Sequence, residues 1–291
     1  MRVAVTGSSG LIGSALVGQL KQEGHSVVRL VRRKPISSEE AQWDPVAGTV
    51  DLQALEGVDA IVHLAGANVG DKRWTKKYRE TILNSRLLGT TAIANAAATL
   101  KPRVFVSASA IGYYGETGNR AIVETDRGGD DFLAAVCRES EGAADLAVGV
   151  RTVKIRTGLV LDPTGGVLGR ILPLFRFGLG GKLGNGKQWW SWITLHDTVK
   201  AIIFALESDI SGPINLTAPN PVTNQEFTGT LARALHRPAL FPVPGFALKL
   251  VVGGFASEIL GSKKILPKAL QDAGFVFDYP HLMPALQALT E

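Results

Sequence analysis

The segment Thr6-Gly7-Ser8-Ser9-Gly10-Leu11-Ile12-Gly13 decides the fold of this chain. Residues 2–5, directly before it, form a short and largely apolar run that predicts a buried strand, and residues 11–23 carry apolar side chains at helical spacing. Glycines between a strand and a helix allow a tight turn, a close approach of a pyrophosphate, and close packing of the helix on the strand. The helix N-terminus then offers unpaired N–H groups to the anion. The segment therefore predicts a dinucleotide-binding unit.

Strand and helix patterns alternate through the first half of the chain. The predicted strands are continuous apolar runs, which are typical of strands covered on both faces of a parallel sheet. They lie at 26–31, 58–64, 104–106 and 152–161, and helical patterns lie near 84–99 and from 131 to about 148. This order predicts an α/β fold with a doubly wound parallel sheet of the Rossmann type.

The second half of the chain differs in composition. Residues 162–192 are rich in glycine and predict a long loop, which in a compact domain is usually functional. Residues 221–291 mix helical patterns with prolines and predict a small, mainly helical C-terminal region. We therefore expect a dinucleotide-binding Rossmann domain at 1–161. Residues 162–291 are then expected to supply the substrate-side loop, the remaining sheet elements and the helical region.

The composition excludes several classes of protein. With 291 residues and 45% hydrophobic side chains the chain can bury a sizeable core, which excludes intrinsic disorder. No apolar run is long enough for a membrane span, because Lys249 and Glu258 interrupt residues 245–260. Residues 1–7 hold too few apolar side chains for a secretory signal, and Cys137, the single cysteine, excludes an intrachain disulfide. These features predict a cytoplasmic protein.

The net charge of +5 does not identify a partner by itself. The basic runs are short and have few aromatic residues between them, so we do not expect nucleic-acid binding. The five histidines show no metal-ligand spacing, and one cysteine cannot build a structural zinc site. The sequence predicts no metal.

The end of the second predicted strand indicates which dinucleotide is bound. Sites for NAD place an acidic residue there to hold the ribose 2′-hydroxyl. Here Arg32-Arg33-Lys34 follow Val31, and the first acidic residue is Glu39. Arginine pairs with a phosphate, whereas a carboxylate repels it. The cofactor is therefore predicted to be NADP(H).

Several further motifs resemble the extended, epimerase-like branch of the short-chain dehydrogenase/reductase superfamily. More narrowly, the chain resembles the atypical family of the NAD-dependent epimerase/dehydratase type, which is sometimes labelled cell-division inhibitor. Beside the glycine segment, the resemblance rests on His63-Leu64-Ala65-Gly66, Val106-Ser107-Ala108-Ser109-Ala110, Tyr113-Tyr114-Gly115, Arg156-Thr157-Gly158-Leu159-Val160-Leu161, Gly184-Asn185-Gly186 and Ser191-Trp192-Ile193. It extends over essentially the whole chain.

The resemblance implies a set of cofactor contacts. The backbone of the glycine segment would hold the pyrophosphate, and two arginines would hold the 2′-phosphate. Three residues after the third predicted strand would pass the adenosine side, a further arginine would face the cofactor, and three residues would lie near the nicotinamide. In that order, these residues are Gly7, Ser9, Gly10, Leu11, Ile12, Arg32, Arg33, Leu64, Ala65, Gly66, Arg86, Ser107, Leu159 and Val160.

The catalytic pair of the superfamily is missing. Active members use a serine, a tyrosine and a lysine four residues after the tyrosine, because residues at that spacing share one helix face. None of the four tyrosines here has such a lysine, and Cys137 and Glu141 align with the two positions. Ser109 aligns with the serine. We take Ser109, Tyr113 and Glu141 as the catalytic candidates.

Two functions remain open from the sequence. The first is oxidoreductase or epimerase-type chemistry on an unidentified small molecule, such as a sugar. This chemistry would use an acid or base other than the tyrosine–lysine pair of the superfamily. The second is a non-catalytic NADP(H)-sensing regulatory protein, for which the label cell-division inhibitor suggests a role in cell division and which could act on a protein partner. The expected substrate contacts are Trp74, Arg156, Gln188 and Trp190.

Overall fold

The computed structural model describes all 291 residues and contains fourteen strands and ten helices. The strands are β1 Arg2–Thr6, β2 Ser26–Val31, β3 Glu40–Asp44, β4 Thr49–Val50, β5 Ala60–His63, β6 Val104–Ala110, β7 Ala121–Ile122, β8 Arg151–Thr157, β9 Leu159–Asp162, β10 Trp189–Trp190, β11 Trp192–Thr194, β12 Gly212–Leu216, β13 Val222–Thr223 and β14 Lys264–Ile265. The helices are α1 Leu11–Gln22, α2 Lys76–Leu100, α3 Phe132–Ala144, α4 Gly166–Arg176, α5 Leu195–Glu207, α6 Asn224–Ala234, α7 Gly245–Val252, α8 Ala256–Leu260, α9 Lys268–Asp272 and α10 Leu282–Thr290.

Eight strands form the central sheet, in the order β12-β8-β6-β5-β1-β2-β3-β4. All neighbours in it are parallel except β3 and β4. Helices cover both faces: in β1, Val3 and Val5 pack with α1 and α5, whereas Ala4 packs with α2. Because successive side chains of a strand point to opposite faces, both faces need apolar residues, which explains the continuous apolar runs. The prediction of a doubly wound α/β fold is confirmed.

A second core lies beside the sheet, under the C-terminal half of the chain. It contains Trp190 and Trp192 of two short strands, Phe227 of α6, and the apolar faces of α4 and α10. The two small sheets β9-β11 and β10-β13 attach it to the end of β8. This part of the chain is largely helical, as predicted.

Several local predictions were wrong. Residues 162–192 are not one long loop, because α4 lies within them and buries Leu168, Leu172 and Phe175 at helical spacing. The predicted strand 152–161 divides at Gly158, whose N–H donates to Leu216 O while β9 pairs with β11. A Cβ at position 158 would lie 2.6 Å from Ser191 O, so only glycine fits this crossing.

The boundaries of α2 and the edge of the sheet also differ from the sequence predictions. The helix begins at Lys76, eight residues before the predicted start, because Thr75 caps it by accepting from the Tyr78 amide. Its first turns are polar and carry no apolar periodicity, so the pattern does not mark them. Strands β3 and β4 were not predicted at all. None of the ten helices combines the length and the apolar character that crossing a bilayer requires.

Candidate functional site

A cavity of about 480 Å³ opens where β1, β5 and β6 end and where β8 passes into β9. The strand order reverses at β1, and ligands of open α/β sheets bind at such a switch point. Eleven of the residues predicted from the sequence line it together: Gly7, Gly10, Leu11, Ile12, Leu64, Ala65, Gly66, Arg86, Ser109, Leu159 and Val160.

The glycine segment is shaped to receive an anion. Gly7 has a φ of +65°, and a Cβ there would lie 2.8 Å from the carbonyl carbon of Leu64. A Cβ on Gly13 would lie 2.2 Å from Gly7 O, so α1 can start this close to β1 only with glycine. The amides of Leu11, Ile12 and Gly13 begin α1 and have no acceptor within the protein. These residues fit a dinucleotide diphosphate.

A buried hydrogen-bond hub fixes the loop that follows β5. Thr6 Oγ1 accepts from the amides of Leu64 and Ala65 at 3.0 and 3.2 Å and lies 2.8 Å from His63 Nδ1. Because Thr6 Oγ1 already accepts twice, its proton goes to Nδ1, which leaves the His63 proton on Nε2. Burial lowers the pKa of His63 to about 4, so the ring is neutral at pH 7. The hub holds the ends of β1 and β5 in one register beside the cavity.

Arg86 places a positive charge in the cavity wall. It reaches there from α2, where Nη1 donates to Ala67 O at 2.9 Å and to Ile82 O at 3.2 Å. A Cβ on Gly66 would touch its guanidinium at 3.4 Å. Burial lowers the pKa of Arg86, and no carboxylate in the protein forms an ion pair with it. A cation in this position fits an anionic cofactor.

The two arginines after β2 have different surroundings. The β1–β2 register pairs Thr6 with Leu30, so Arg32 and Arg33 follow at the same edge as the glycine segment. Arg33 donates to both oxygens of Glu40 at 2.8 and 2.7 Å, whereas Arg32 is exposed and has no partner. The Arg33 hydrogen bonds and the Ile36 amide lower the pKa of Glu40 to about 2. Neither arginine lines the cavity itself.

Ser109 connects the cavity to a buried ion pair. Its hydroxyl lines the cavity and donates to Glu141 Oε1 at 2.7 Å. Arg156 holds both oxygens of the same carboxylate, with Nε to Oε1 at 2.9 Å and Nη2 to Oε2 at 2.8 Å. Arg156 also donates to Tyr114 Oη and Glu124 O, so its donors are directed into the protein rather than into the cavity. Burial opposes its charge, but the Glu141 and Tyr114 contacts raise the pKa of Arg156.

Of the other candidates for proton transfer, the two tyrosines do not line the cavity and the cysteine is protonated. Tyr113 lies under the Arg156 guanidinium, with 3.5 Å from Cζ to the ring centroid. Tyr114 donates to Asn215 Oδ1 at 2.8 Å, and burial raises its pKa to about 12. Cys137 does line the cavity, but burial raises the pKa of its thiol to about 11. It is therefore a neutral group at pH 7.

The predicted substrate residues do not gather at one place. Trp74 packs on Phe132 and Phe255 behind the cavity wall, to which Phe255 itself contributes. Gln188 is buried and donates to Leu183 O, and Trp190 packs on Phe227 in the second core. Arg156 belongs to the ion pair. Of the predicted cofactor residues, Ser9 is exposed outside the cavity, and Ser107 is buried at the end of β6.

Sequence reasoning missed one wall of the cavity. Val69, Val167, Arg170 and Phe255 line this part of the cavity. Arg170 and Val167 belong to α4, whose apolar spacing could have revealed a helix in the glycine-rich stretch. Phe255 lies in a short 3-10 turn after α7, and no sequence pattern marks it.

Comparisons with known proteins agree with this geometry. The family model described as the NAD dependent epimerase/dehydratase family matches residues 3–131, and a domain of unknown function, DUF1731, matches residues 243–289. An epimerase family protein of Mycobacterium leprae is 44% identical over 99% of this chain and 95% of its own. The crystal structure of the human epimerase family protein SDR39U1 with NADPH superposes with a TM-score of 0.93, at 34% identity and 99% coverage of both chains.

A further solved structure is similar over the whole of this chain but only part of its own. The nucleoside-diphosphate sugar epimerase of Corynebacterium glutamicum gives a TM-score of 0.82 at 35% identity, with 99% of this chain and 58% of that chain covered. Fold and cleft together define a Rossmann protein of the short-chain dehydrogenase/reductase type. The chain belongs to the NAD-dependent epimerase/dehydratase family, as an epimerase family protein. The family resemblance found in the sequence is confirmed.

Proposed function

We propose that this protein binds NADP(H) in the cavity at the end of β1. The free amides of α1 and the Arg86 guanidinium support binding of the diphosphate, and exposed Arg32 beside them supports the 2′-phosphate. The human relative was crystallised with NADPH, the cofactor that the basic end of β2 predicts. Under this proposal residues 1–161 hold the cofactor, and residues 162–291 complete the substrate side through Val167, Arg170 and Phe255.

Under the same proposal most of the remaining predicted contacts follow the cofactor along this cavity, although Ser9 and Ser107 do not line it. The backbone of Gly7, Ser9, Gly10, Leu11 and Ile12 faces the diphosphate, and Leu64, Ala65 and Gly66 lie along the adenosine side. Ser109, Leu159 and Val160 lie toward the nicotinamide, with Ser107 behind them. Arg33 shapes the phosphate site through its contact with Glu40.

We infer an oxidoreductase-type reaction in which Ser109 relays a proton between substrate and Glu141. When bound, the cofactor supplies the hydride donor or acceptor. In the oxidising direction a substrate hydroxyl gives its proton to Ser109 Oγ while Ser109 passes its own proton to Glu141. In the reducing direction both protons return. The observation that supports this proposal most directly is a hydrogen bond of 2.7 Å. The Ser109 hydroxyl, which lines the cavity, donates it to the carboxylate of Glu141.

Arg156 acts on this relay as a positioning residue. Its two hydrogen bonds fix the carboxylate of Glu141 in the orientation that accepts from Ser109. Tyr113 covers the guanidinium and completes the support. We therefore assign neither Arg156 nor Tyr113 to direct contact with the substrate.

The test separates cofactor binding from turnover. NADPH binding is measured by calorimetry, and NADPH oxidation is followed with a panel of ketones, aldehydes and nucleotide sugars. Ser109→Ala and Glu141→Gln should retain NADPH affinity but lose at least about tenfold in kcat. Glu139→Gln, an exposed residue on the same helix without a hydrogen bond, is the matched control and should behave like the parent. Unchanged kcat in both test variants would refute the relay.

A specific observation supports the non-catalytic sensor as a second candidate. The cavity wall contains no tyrosine, lysine, histidine or carboxylate side chain. If the parent protein binds NADPH but oxidises it with no member of the panel, the sensor is the better description. A sensor must also adopt different conformations with NADPH and with NADP⁺ bound, since each ligand shifts a conformational equilibrium only by its different affinities for the two protein states.

A further inference from the structure

The surface formed by residues 174–183 and 238–252 is unusually apolar. Eight large hydrophobic side chains in it are more than half exposed: Leu174, Phe177, Leu179, Leu240, Phe241, Phe246, Leu250 and Val251. Helix α7 buries none of its residues, and Phe246 and Leu250 lie one turn apart on it. Single exposed hydrophobic residues are ordinary, but a group of this size marks a binding surface.

The two segments of this surface lie side by side. Leu179 pairs with Ala239 and Leu183 with Val243 in isolated bridges, and the Phe241 amide donates to Gly180 O at 3.1 Å. Helix α7 begins two residues after Val243. The two apolar segments are therefore adjacent in the structure, and we call their exposed hydrophobic side chains the apolar face.

The stretches of sequence that carry the apolar face contain charges of a single sign. Residues 163–196 and 227–257 contain seven lysines and arginines and no aspartate or glutamate. Six of the seven make no ion pair: Arg176, Lys182, Lys187, Arg233, Arg237 and Lys249. The acids that flank these stretches already have partners. Asp162 accepts from Thr164, and Asp197 accepts from the amides of Asp278 and Tyr279. Glu226 belongs to the capping box of α6, Glu258 pairs with Lys263, and Asp71 pairs with Arg170.

We propose that the apolar face docks on an anionic membrane surface, with α7 lying in the interface. Apolar side chains on a short surface helix enter the boundary between headgroups and acyl chains, and surrounding lysines and arginines pair with anionic headgroups. A second copy of this chain fits less well, because two identical faces would bring the six unpaired cations of one copy toward the six of the other, and like charges repel. This proposal does not depend on the cofactor or on turnover.

The test uses the full chain and vesicles of defined composition. Co-sedimentation with vesicles of phosphatidylglycerol and phosphatidylcholine in equal parts should bind at least about tenfold more strongly than pure phosphatidylcholine, and salt should weaken the binding. The variant F246E/L250E should lose at least about tenfold in vesicle affinity. Its matched control is V46E/V276E, which alters two similarly exposed hydrophobic residues outside the apolar face and should bind as the parent does.

A second pair of variants isolates the charge. R176Q/K249Q removes two cations from the border of the apolar face, and K101Q/R103Q removes two exposed cations from the turn between α2 and β6. Only the first should weaken binding to the anionic vesicles. All variants are checked by thermal unfolding and NADPH calorimetry, so a folding defect is distinguished from a docking defect.

Three results would overturn the proposal. The first is failure to bind anionic vesicles, and the second is equal binding to neutral and anionic vesicles. The third is a concentration-dependent dimer in sedimentation that F246E/L250E abolishes, which would assign the apolar face to a second copy.

Discussion

The two arginines after β2 should have separable roles, although they are neighbours in the sequence. Arg32 is exposed without a partner, whereas Arg33 uses Nη1 and Nη2 on the carboxylate of Glu40, whose side chain is fully buried. We predict that Arg32→Ala removes the preference for NADPH over NADH. Arg33→Ala should instead loosen the turn between β2 and β3.

The structure sets the size of each effect. A charged hydrogen bond to a phosphate contributes about 1.5–3 kcal/mol, so Arg32→Ala should weaken NADPH by about 10- to 150-fold and leave NADH unchanged. Arg33 has already committed two nitrogens to Glu40 and one of them also to Lys34 O, so it has little left to offer the phosphate. Its removal should lower the unfolding temperature and change NADPH affinity less than Arg32→Ala does.

The assay is calorimetry with NADPH and NADH, together with thermal unfolding, on both variants. Lys34→Ala is the control, since it removes a cation from the same turn that makes no ion pair. The reasoning is refuted if Arg33→Ala reduces NADPH affinity more than Arg32→Ala at an unchanged unfolding temperature. It is equally refuted if Arg32→Ala weakens NADH and NADPH by the same factor.

Three other substitutions test the cavity and its supports. Gly13→Ala places a Cβ 2.2 Å from Gly7 O and should reduce the NADPH affinity measured by calorimetry at least about tenfold. Gly18→Ala is the control on the same helix. Its Cβ meets open space, so this variant should raise the free energy of unfolding by up to about 1 kcal/mol. Arg156→Met leaves the buried Glu141 unpaired and should lower the free energy of unfolding by about 3–5 kcal/mol, most of which the double variant R156M/E141L should restore. His63 is neutral when folded, with a pKa of about 4, so the unfolded chain takes up a proton first as the pH falls below about 6.5. The contribution of His63 to the free energy of unfolding should therefore fall by about 2 kcal/mol between pH 7 and pH 5. The variant His63→Asn should lack this loss when its stability is measured by denaturant titration at the two pH values.

The glycine segment was sufficient to predict the first β-α unit and the place of the cavity. Both follow from local geometry, because a turn that brings a helix N-terminus against a strand leaves few alternatives to glycine. The apolar runs likewise predicted the parallel sheet, since a strand covered on both faces needs no polar positions.

The contacts between distant residues could not be predicted in the same way. Glu40 pairs with Arg33 only because β3 lies beside β2, and β3 has a short, half-polar sequence without a strand pattern. Glu141 and Arg156 meet because α3 packs on β8, which a helical pattern alone does not indicate. For the same reason Trp190 was predicted to contact the substrate, although it packs in the second core.

The cavity wall draws on both halves of the chain, and this has a thermodynamic consequence. Arg170 of α4 donates to Gly70 O beside the β5 loop, and Arg73 donates to Leu250 O of α7. Residues 162–291 therefore contribute a certain free energy to the binding of any ligand that touches both sides. By linkage, the bound ligand stabilises these residues by the same free energy against separation from the loop after β5. Hydrogen exchange in α4 and α7 should slow on ligand addition, although neither helix carries a residue of the glycine segment.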